Sequence, residues 1–416
     1  MQYEEAARWL DATIKSHTEY RSWTLNLIAS ENVMSPDVAR YYAIELGQWY
    51  GNYEGLEVRK RRYTGNKYLA ELEERALHEA CSLFKAGAAD LRPLSGHIAG
   101  SSLIMGLCEP NDLVLELDRN AGGHRLAERL TEARLARLRI EPVPFDDREY
   151  QVDPEATAKA IQTSRPRLVI LGSSNYLFPT PLTTIAAACQ ETDTTLVLDA
   201  SHVAGLIAGG CFPQPFESNV DFMVTSTHKT LAGPQGGMLM SRSRELLRKV
   251  MPALYPGLIT NHHLMRVPAM VALFAEWRTH GSLYARTIVD NASRLAGALD
   301  AVGIPVVTTG HGFTKSHTVL IRTQPLHRPA QELAGQLEAC GIMTGSTQLP
   351  AVHGGEGLRV GVQEMTRLGL KAEHIQDLAE LMHDAVFTQQ PSRVAERARQ
   401  FTEGLNEVHF CESYEH

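Results

Sequence analysis

The sequence predicts an α/β protein with a mostly parallel sheet and a smaller C-terminal α+β domain. Five short apolar runs are predicted strands: DLVLELD (112–118), RLVILGS (167–173), TTLVLDA (194–200), DFMVTST (221–227) and GGMLMS (236–241). Helix-like stretches at 153–163 and 181–191 lie between several of them. Nearly all-apolar strands that alternate with helices are typical of a parallel sheet covered on both faces.

In chain order, the sequence divides into three predicted segments. Residues 1–30 are an N-terminal helical arm, because MQYEEAARWLDATIKSHTEY is amphipathic and carries acidic residues early. Residues 31–270 are the large domain that contains the sheet. Residues 271–416 are the small domain and end in a polar tail. After about residue 270 the sequence pattern changes, and we expect long helices at 267–303, strands at 304–309, 317–323 and 358–362, and a helix at 372–387.

Composition argues against several classes of protein. The 416-residue chain is 44% hydrophobic and 21% charged, which is ordinary for a soluble globular protein of two domains. A net charge of −8 argues against nucleic-acid binding, and no apolar run of about 18 residues predicts a membrane span. The six cysteines are widely spaced and form no CxxC pair, which favours reduced thiols and a cytoplasmic protein.

The segment VTSTHKTLAGPQGG (224–237) places Lys229 between a hydroxyl-rich strand and a glycine-rich turn. Most lysines are solvated charges, but one at the end of a buried strand loses its charge by desolvation and becomes a nucleophile toward carbonyls. Upstream, LVLDASHVAGLIAGG (196–210) contains Asp199 at the end of a second apolar strand, followed by His202. Asp199 either caps the next turn or pairs with a protonated pyridine nitrogen. An amine, an acid and hydroxyls at neighbouring strand ends predict a pyridoxal phosphate site.

Three further stretches fit such a site. In LRPLSGHIAGSSLI (91–104), Ser95, Gly96 and His97 precede an apolar helix whose N-terminus suits an anion, although Ser-Gly turns are common. In LDRNAGGHRLAERL (117–130), His124 follows a Gly-Gly turn and is either structural or stacked on a flat cofactor ring. Arg359 lies in the apolar strand GLRVGV (357–362), where an arginine suits bidentate binding of a carboxylate better than a surface ion pair.

The motifs LIASEN (27–32), LDASHVAGL (198–206) and STHKTLAGPQGG (226–237) occur in the order and spacing of the serine hydroxymethyltransferase family. The resemblance covers nearly the whole chain, and RPLSG, YLFPTPL, TNHHLMR, GFTKSH and GVQEMTRLG resemble the archaeal-type branch. It implies a fold-type I pyridoxal-phosphate transferase in which the large domain binds the cofactor on a mostly parallel, seven-stranded sheet.

The resemblance also implies a role for each candidate residue. Lys229 binds the cofactor covalently, Asp199 pairs with its pyridine nitrogen, His124 stacks on the ring and His202 binds the phenolic oxygen. Ser30 and Arg359 bind the substrate carboxylate. The phosphate is held by Ser95, Gly96, Ser226 and His228, with His97 in place of a serine or threonine of that cup, and His228 also serves catalysis.

Two residues of the segment YGNYEGLEVRKRRYTGN (50–66) match catalytic positions of the family. Glu54 matches its acid–base glutamate and Tyr63 an active-site tyrosine supplied by the neighbouring subunit. With residues near Gly257, they imply a homodimer whose active sites lie at the subunit interface. His262 and His263 lack further ligands at helical spacing, so we expect packing there rather than a metal site.

Apart from His97 in the phosphate cup, the departures from the family pattern lie in and just after segment 52–54 and in segment 345–347. Asn52-Tyr53-Glu54 replaces Tyr-Ala-Glu, the following segment carries one extra residue, and Gly345-Ser346-Thr347 replaces a folate-contacting Asn-Lys-Asn. The leading prediction is a hydroxymethyltransferase acting on serine or a close analogue such as α-methylserine, with tetrahydrofolate or another reduced pterin as co-substrate. The alternatives are a pterin-independent aldolase or transaldolase acting on threonine-like amino acids, an aminotransferase, and an inactive binding protein of the same fold.

Overall fold

The structure is a computed structural model, and it describes residues 3–412. The helices are α1 (Tyr3–Ser22), α2 (Pro36–Tyr42), α3 (Lys67–Phe84), α4 (Gly96–Leu107), α5 (Leu126–Glu132), α6 (Pro154–Ser164), α7 (Leu182–Thr192), α8 (Ala204–Ala208), α9 (Arg244–Pro252), α10 (Arg266–Ala301), α11 (Ala330–Ala339), α12 (Gln363–Arg367), α13 (Ile375–Phe387) and α14 (Pro391–Thr402). The strands are β1 (Leu25–Asn26), β2 (Ala88–Asp90), β3 (Leu113–Glu116), β4 (Arg139–Pro142), β5 (Phe145–Asp146), β6 (Gln151–Val152), β7 (Leu168–Leu171), β8 (Thr195–Asp199), β9 (Phe222–Ser226), β10 (Gly237–Ser241), β11 (Thr318–Arg322), β12 (Ile342–Met343), β13 (Gly345–Gln348) and β14 (Glu356–Gly361).

The central sheet has seven strands in the order β2-β10-β9-β8-β7-β3-β4. Only β10 runs antiparallel to its neighbours, so the predicted mostly parallel sheet is confirmed. All residues of β3, β7, β9 and β10 are buried, as their apolar sequences predict. The two remaining strands, β2 and β4, were not predicted from the sequence. Strand β2 is only three residues long, and β4 is a largely exposed edge strand of sequence RIEP.

The C-terminal part combines α10 with a three-stranded antiparallel sheet of order β11-β14-β13. Residues 267–303 form one continuous helix of 36 residues, Arg266–Ala301, rather than several; Pro268 lies in its first turn, where a missing amide hydrogen breaks no helical bond. Residues 304–309, expected to form a strand, contribute two isolated bridges instead, one between Val306 and Ile321 and one between Thr309 and Gly312. The expected domain boundary after residue 270 falls inside α10.

Chain segments from three places meet at the carboxyl edge of the central sheet. The segment after β1 is held there because β1 pairs with β12 and the Gly361 amide donates to the Leu27 carbonyl at 2.8 Å. The ends of β8 and β9 and the inner face of β14 approach the same edge, which is where ligands bind in parallel sheets. Among residues 3–412, none of the helices is long and apolar enough to cross a membrane.

Candidate active site

A cleft of about 1040 Å³ opens at this edge of the sheet. It brings together six of the predicted site residues, most of them far apart in sequence: Ser30, His124, His202, His228, Lys229 and Arg359. Gln235 also lines it. Side chains from the N-terminal segment, the large sheet and the small sheet therefore face one cleft that is open to solvent, as the resemblance implies.

Lys229 lies in the turn between β9 and β10, and its side chain is largely withdrawn from solvent. Its backbone carbonyl accepts hydrogen bonds from the Ala232 amide and from Asn32 Nδ2, both at 3.0 Å. Burial lowers the pKa of Lys229 to about 8, although the nearby Asp199 carboxylate opposes the shift. A much larger fraction of this amine is therefore neutral near pH 7 than for an ordinary lysine, and the neutral amine is the nucleophile.

Asp199 ends β8 and uses one carboxylate oxygen locally. Its Oδ1 accepts from the Ser201 amide at 2.9 Å, so the turn-capping interpretation of Asp199 is correct for that oxygen. A carboxylate has a second oxygen and further lone pairs, which leaves capacity for a cationic partner. Capping and cofactor binding are thus compatible at this residue.

His202 is buried beside Lys229, and no atom of the described residues hydrogen-bonds to its Nδ1. Burial and the neighbouring Lys229 hold its pKa well below the usual range, so the ring is neutral. It stacks on His317, with ring centroids 5.9 Å apart and an interplanar angle of 22°. A buried nitrogen without a partner indicates that a ligand atom completes the site.

His317 was quoted in the GFTKSH motif but received no role from the sequence. It is fully buried at the start of β11, and its Nε2 lies 3.2 Å from the Ala29 carbonyl oxygen, next to Ser30. Burial lowers its pKa to about 3, so it remains a neutral ring between His202 and the Ser30 segment. Its partner is 288 residues away in sequence, and no local pattern indicates that contact.

An anion cradle lies at the N-terminus of α4. Ser95 caps this helix, since its Oγ accepts from the Ile98 amide at 3.1 Å. A Cβ on Gly96 would lie 2.8 Å from Ser226 Oγ and 2.9 Å from Ser201 Oγ, so only glycine lets the helix end approach these hydroxyls. Free amides at a helix N-terminus and two serine hydroxyls form a site for a phosphate group. Ser201 is an addition that the sequence did not single out.

Arg266, from the TNHHLMR motif, binds the backbone next to this cradle. It is buried, and its guanidinium donates to the carbonyls of Leu91, Pro93 and Gly237 at 3.0 to 3.2 Å. A Cβ at Gly236, where φ is +153°, would lie 1.9 Å from Arg266 Cζ, so the glycine-rich turn also makes room for this side chain. Burial lowers the pKa of Arg266 to about 10. Arg266 thus fixes the backbone on which Lys229 and the cradle depend.

Two histidines and one arginine surround the mouth of the cleft. His97 Nδ1 lies 3.3 Å from Nε2 of His124, so His97 contacts the ring expected to stack on the cofactor. Arg359 donates from one terminal nitrogen to the Ser174 carbonyl at 3.0 Å, while its buried Nε has no partner in the described part of the chain. Burial lowers the pKa of Arg359. An unpartnered guanidinium edge near Ser30 suits a carboxylate.

Ser346 and Thr347 border a second lobe of about 710 Å³, which shares His124, Ser174 and Arg359 with the main cleft. Its polar side chains are partly engaged internally. Thr347 Oγ1 lies 2.9 Å from Asn175 Nδ2, and Ser346 Oγ donates to Gln331 Oε1 at 2.9 Å. The lobe is large enough for a second substrate, but these two hydroxyls already have protein partners.

Glu54, Tyr63 and Gly257 do not line the cleft of their own chain. Glu54 and Gly257 are exposed, and Tyr63 is 46% exposed. The loop around Glu54 is nevertheless held firmly, because the buried Arg92 donates to the Tyr53 and Gly55 carbonyls at 2.9 and 2.7 Å. His262, expected to pack, forms a buried contact with Glu73 at 2.6 Å. These residues thus present an ordered surface away from the cleft.

The cleft fits pyridoxal phosphate on its own geometry. Lys229 offers an amine of lowered pKa for the aldehyde, the nearby Asp199 a carboxylate for the pyridine nitrogen, and the N-terminus of α4 an anion cradle for the phosphate. Of the predicted site residues, Asp199, Ser95, Gly96, His97 and Ser226 do not themselves line the cleft. Two buried ring nitrogens, on His202 and His228, have no hydrogen-bond partner among residues 3–412. Together with the sheet topology, this arrangement defines a fold-type I pyridoxal-phosphate enzyme.

Comparisons with known proteins identify the family. The family model described as "Serine hydroxymethyltransferase" matches residues 4–382. The serine hydroxymethyltransferase of Pyrococcus abyssi is 36% identical over all of this chain and 99% of its own length, and that of Aeropyrum pernix is 36% identical over 94% and 91%. A crystal structure of L-threonine transaldolase from Pseudomonas fluorescens, in its internal aldimine state, superimposes with a TM-score of 0.91 at 29% identity, covering 98% of this chain and 94% of that one.

The chain belongs to the serine hydroxymethyltransferase family. The resemblance to its archaeal-type branch is confirmed by the archaeal relatives. The protein is a pyridoxal-phosphate-dependent enzyme of the hydroxymethyltransferase and aldolase type.

Proposed function

We propose that this enzyme interconverts serine, or a close analogue such as α-methylserine, with a glycine-type amino acid by breaking and forming the Cα–Cβ bond. A reduced folate or another pterin carries the one-carbon unit. The observation that carries the proposal is that Lys229 and Arg359 line the same cleft, and that Nε of Arg359 has no hydrogen-bond partner in the described part of the chain. An amine and a carboxylate group of one amino acid can engage these two positions at once.

The protein residues have separable tasks in this reaction. Arg359 and Ser30 bind the substrate carboxylate, which orients the bond to be broken relative to the cofactor. Asp199 keeps the ring nitrogen protonated, and the bound cofactor then supplies the electron sink for the pair left on Cα. Lys229, with its amine of lowered pKa, would hold the cofactor aldehyde between turnovers. The neutral His202 donates or accepts at the cofactor oxygen without adding charge to the cleft.

We infer that Glu54 accepts the proton of the substrate hydroxyl in the cleft of a second subunit. Supporting this, Glu54 is exposed. It belongs to the same segment, 50–66, as Tyr63, and a surface cavity of about 700 Å³ is bordered by exposed aromatic side chains: Trp49, Tyr50, Tyr63 and Tyr68. Exposed apolar surface of this kind is typical of an interface between subunits. In α1, none of the described residues is buried, which also favours a covering partner. We therefore propose a homodimer, and the free state of all six cysteines favours a cytoplasmic location.

Glu54→Gln is expected to retain the cofactor and to lower serine cleavage by roughly 10²–10⁴-fold, because the amide cannot accept the hydroxyl proton. The measurement is formaldehyde release under saturating serine, with the bound-cofactor absorbance as the control for binding. Mixing E54Q with K229A subunits should restore about a quarter of the wild-type activity, since half the dimers are hybrids with one complete site. A mixture no more active than its parents would contradict the shared site.

A second candidate function is a pterin-independent transaldol reaction on threonine-like amino acids. Two observations favour it: the structural likeness to a protein described as an L-threonine transaldolase, and the internal pairing of Thr347 with Asn175 at the second lobe. In this reaction a free aldehyde takes the place of the pterin-borne one-carbon unit. The same Lys229, Arg359 and Asp199 would serve both reactions.

The dependence of serine cleavage on tetrahydrofolate separates the two candidates. For the hydroxymethyltransferase we expect the rate to rise about tenfold or more with tetrahydrofolate, since the carrier captures the one-carbon unit in the transition state. The measurement is glycine formation from labelled serine with and without the carrier. Equal rates in both samples, together with rapid exchange between threonine and an added aldehyde, would assign the transaldolase reaction instead.

A further inference from the structure

The C-terminal strap, defined as residues 405–412, lies beyond the family match, which ends at residue 382. It folds back onto the enzyme through two hydrogen bonds with Arg367, one to the backbone of Arg367 and one from its side chain. The His409 amide donates to the Arg367 carbonyl at 2.7 Å, and the Arg367 guanidinium donates to the Phe410 carbonyl at 3.1 Å. The Arg367 side chain is almost fully buried, so this attachment is part of the fold.

The ring of Phe410 stacks on Tyr284 of α10, with centroids 4.9 Å apart and an interplanar angle of 26°. Phe410 adopts φ of +59°, a left-handed conformation that bulky residues rarely occupy. Such a conformation persists only where surrounding contacts hold it. The stack with Tyr284 and the two hydrogen bonds to Arg367 are the contacts that do so here.

Tyr284 connects the strap to the substrate-binding loop, residues 28–32. Its buried hydroxyl donates to the Gln363 carbonyl at 2.8 Å and accepts from Asn32 Nδ2 at 2.9 Å. Gln363 in turn donates from Nε2 to two backbone carbonyls of the loop at 2.9 and 2.6 Å. Asn32 Nδ2 also donates to the Lys229 carbonyl at 3.0 Å. A continuous series of contacts therefore runs from Phe410 to the loop that carries Ser30 and to the backbone of Lys229.

We propose that the C-terminal strap positions the substrate-binding loop, with Phe410 and Tyr284 as positioning residues that act through Asn32. Phe410 covers one face of Tyr284, which keeps the tyrosine hydroxyl between Gln363 and Asn32. Loop 28–32 then stays in the orientation that directs Ser30 into the cleft. The effect on substrate rests on the proposed function of Ser30 and Lys229, whereas the effect on the loop does not.

Phe410→Ala tests the proposal in the holoenzyme, and hydrogen exchange followed by mass spectrometry is its direct readout. We expect exchange in peptides covering 28–32 to rise roughly threefold to tenfold, because a stacked ring and the bonds that depend on it are lost. The dissociation constant for glycine should rise by a similar factor, with a smaller change in kcat. Phe410→Tyr, which retains the stack, should restore both values. Tyr284→Phe, which retains the stack but lacks the hydroxyl, should reproduce the F410A effect on the loop.

Phe401→Ala is the matched control, because it removes the same ring from the same C-terminal extension. Phe401 packs edge-on against His374 and not against Tyr284. We expect F401A to leave exchange in residues 28–32 within about twofold of wild type. The proposal is overturned if F410A leaves this exchange unchanged, or if F401A raises it as much. If F410A raises exchange in the loop but glycine fails to bind even the wild-type enzyme, the positioning role of the strap is supported and the proposed substrate class is wrong.

Discussion

Lys229→Ala is expected to eliminate the covalent link to the cofactor and to lower Cα–Cβ cleavage by roughly 10²–10⁴-fold or more. The reason is the environment of this amine. Burial lowers its pKa to about 8, so a larger fraction of this amine is neutral and nucleophilic near pH 7 than for an ordinary lysine, and the Asp199 carboxylate lies close to it. No other lysine lines the cleft in the described part of the chain, so no neighbouring amine can replace it.

Borohydride reduction of the holoenzyme, followed by peptide mass spectrometry, measures the covalent link directly. We expect the wild-type cofactor to be found on the peptide containing Lys229, and the K229A protein to carry none. Lys85→Ala is the control, since Lys85 is an exposed lysine that pairs with Glu217 at 2.6 Å. If K229A retained a reducible link to the cofactor and also cleaved serine, Lys229 would not be the residue that binds the cofactor covalently.

The fold was predictable from the sequence for strands that are buried on both faces of the sheet. Strands β7, β8 and β9 are apolar on both faces, and each was predicted to within two residues at either end. Strand β4 was missed because it is an edge strand that carries charged residues, and β13 because Gly345–Gln348 is too polar for a buried strand. The continuity of α10 was missed because glycines and polar residues interrupt its apolar pattern, while packing against other helices holds it together.

The candidate site was predictable where its residues follow strands directly. Lys229, Asp199 and His202 lie next to the ends of β8 and β9, so one topological rule places them together. Asn32, Arg266 and His317 were not assigned, because their roles depend on contacts with distant segments. The Asn32 bond to Lys229 spans 197 residues and the His317 contact with Ala29 spans 288. Contacts of this kind are specified by the tertiary structure and leave no local pattern.

Arg359→Ala is expected to weaken amino-acid binding while the cofactor remains bound. The guanidinium is buried, one of its nitrogens is fixed on the Ser174 carbonyl, and its Nε has no partner among the described residues. A substrate carboxylate in this position would complete a desolvated ion pair, and removing one partner of such a pair costs about 2–5 kcal/mol. The dissociation constant for glycine should therefore rise roughly 30-fold to several thousandfold. Arg359→Lys should fall between wild type and R359A, because an ammonium group cannot reproduce the bidentate contact.

Two controls separate carboxylate binding from a general loss of structure. Arg322→Ala removes an arginine from β11 in the same three-stranded sheet, and this residue lines neither lobe of the cleft. We expect R322A to keep glycine affinity within about twofold of wild type. Ethanolamine, which has the amine but no carboxylate, should bind the wild-type and R359A enzymes equally weakly. Arg359 does not hold the carboxylate if R359A binds glycine as well as wild type does, or if it loses ethanolamine and glycine binding in parallel. The second outcome counts against the proposal because ethanolamine has no carboxylate, so the loss of a carboxylate partner should weaken the binding of glycine alone.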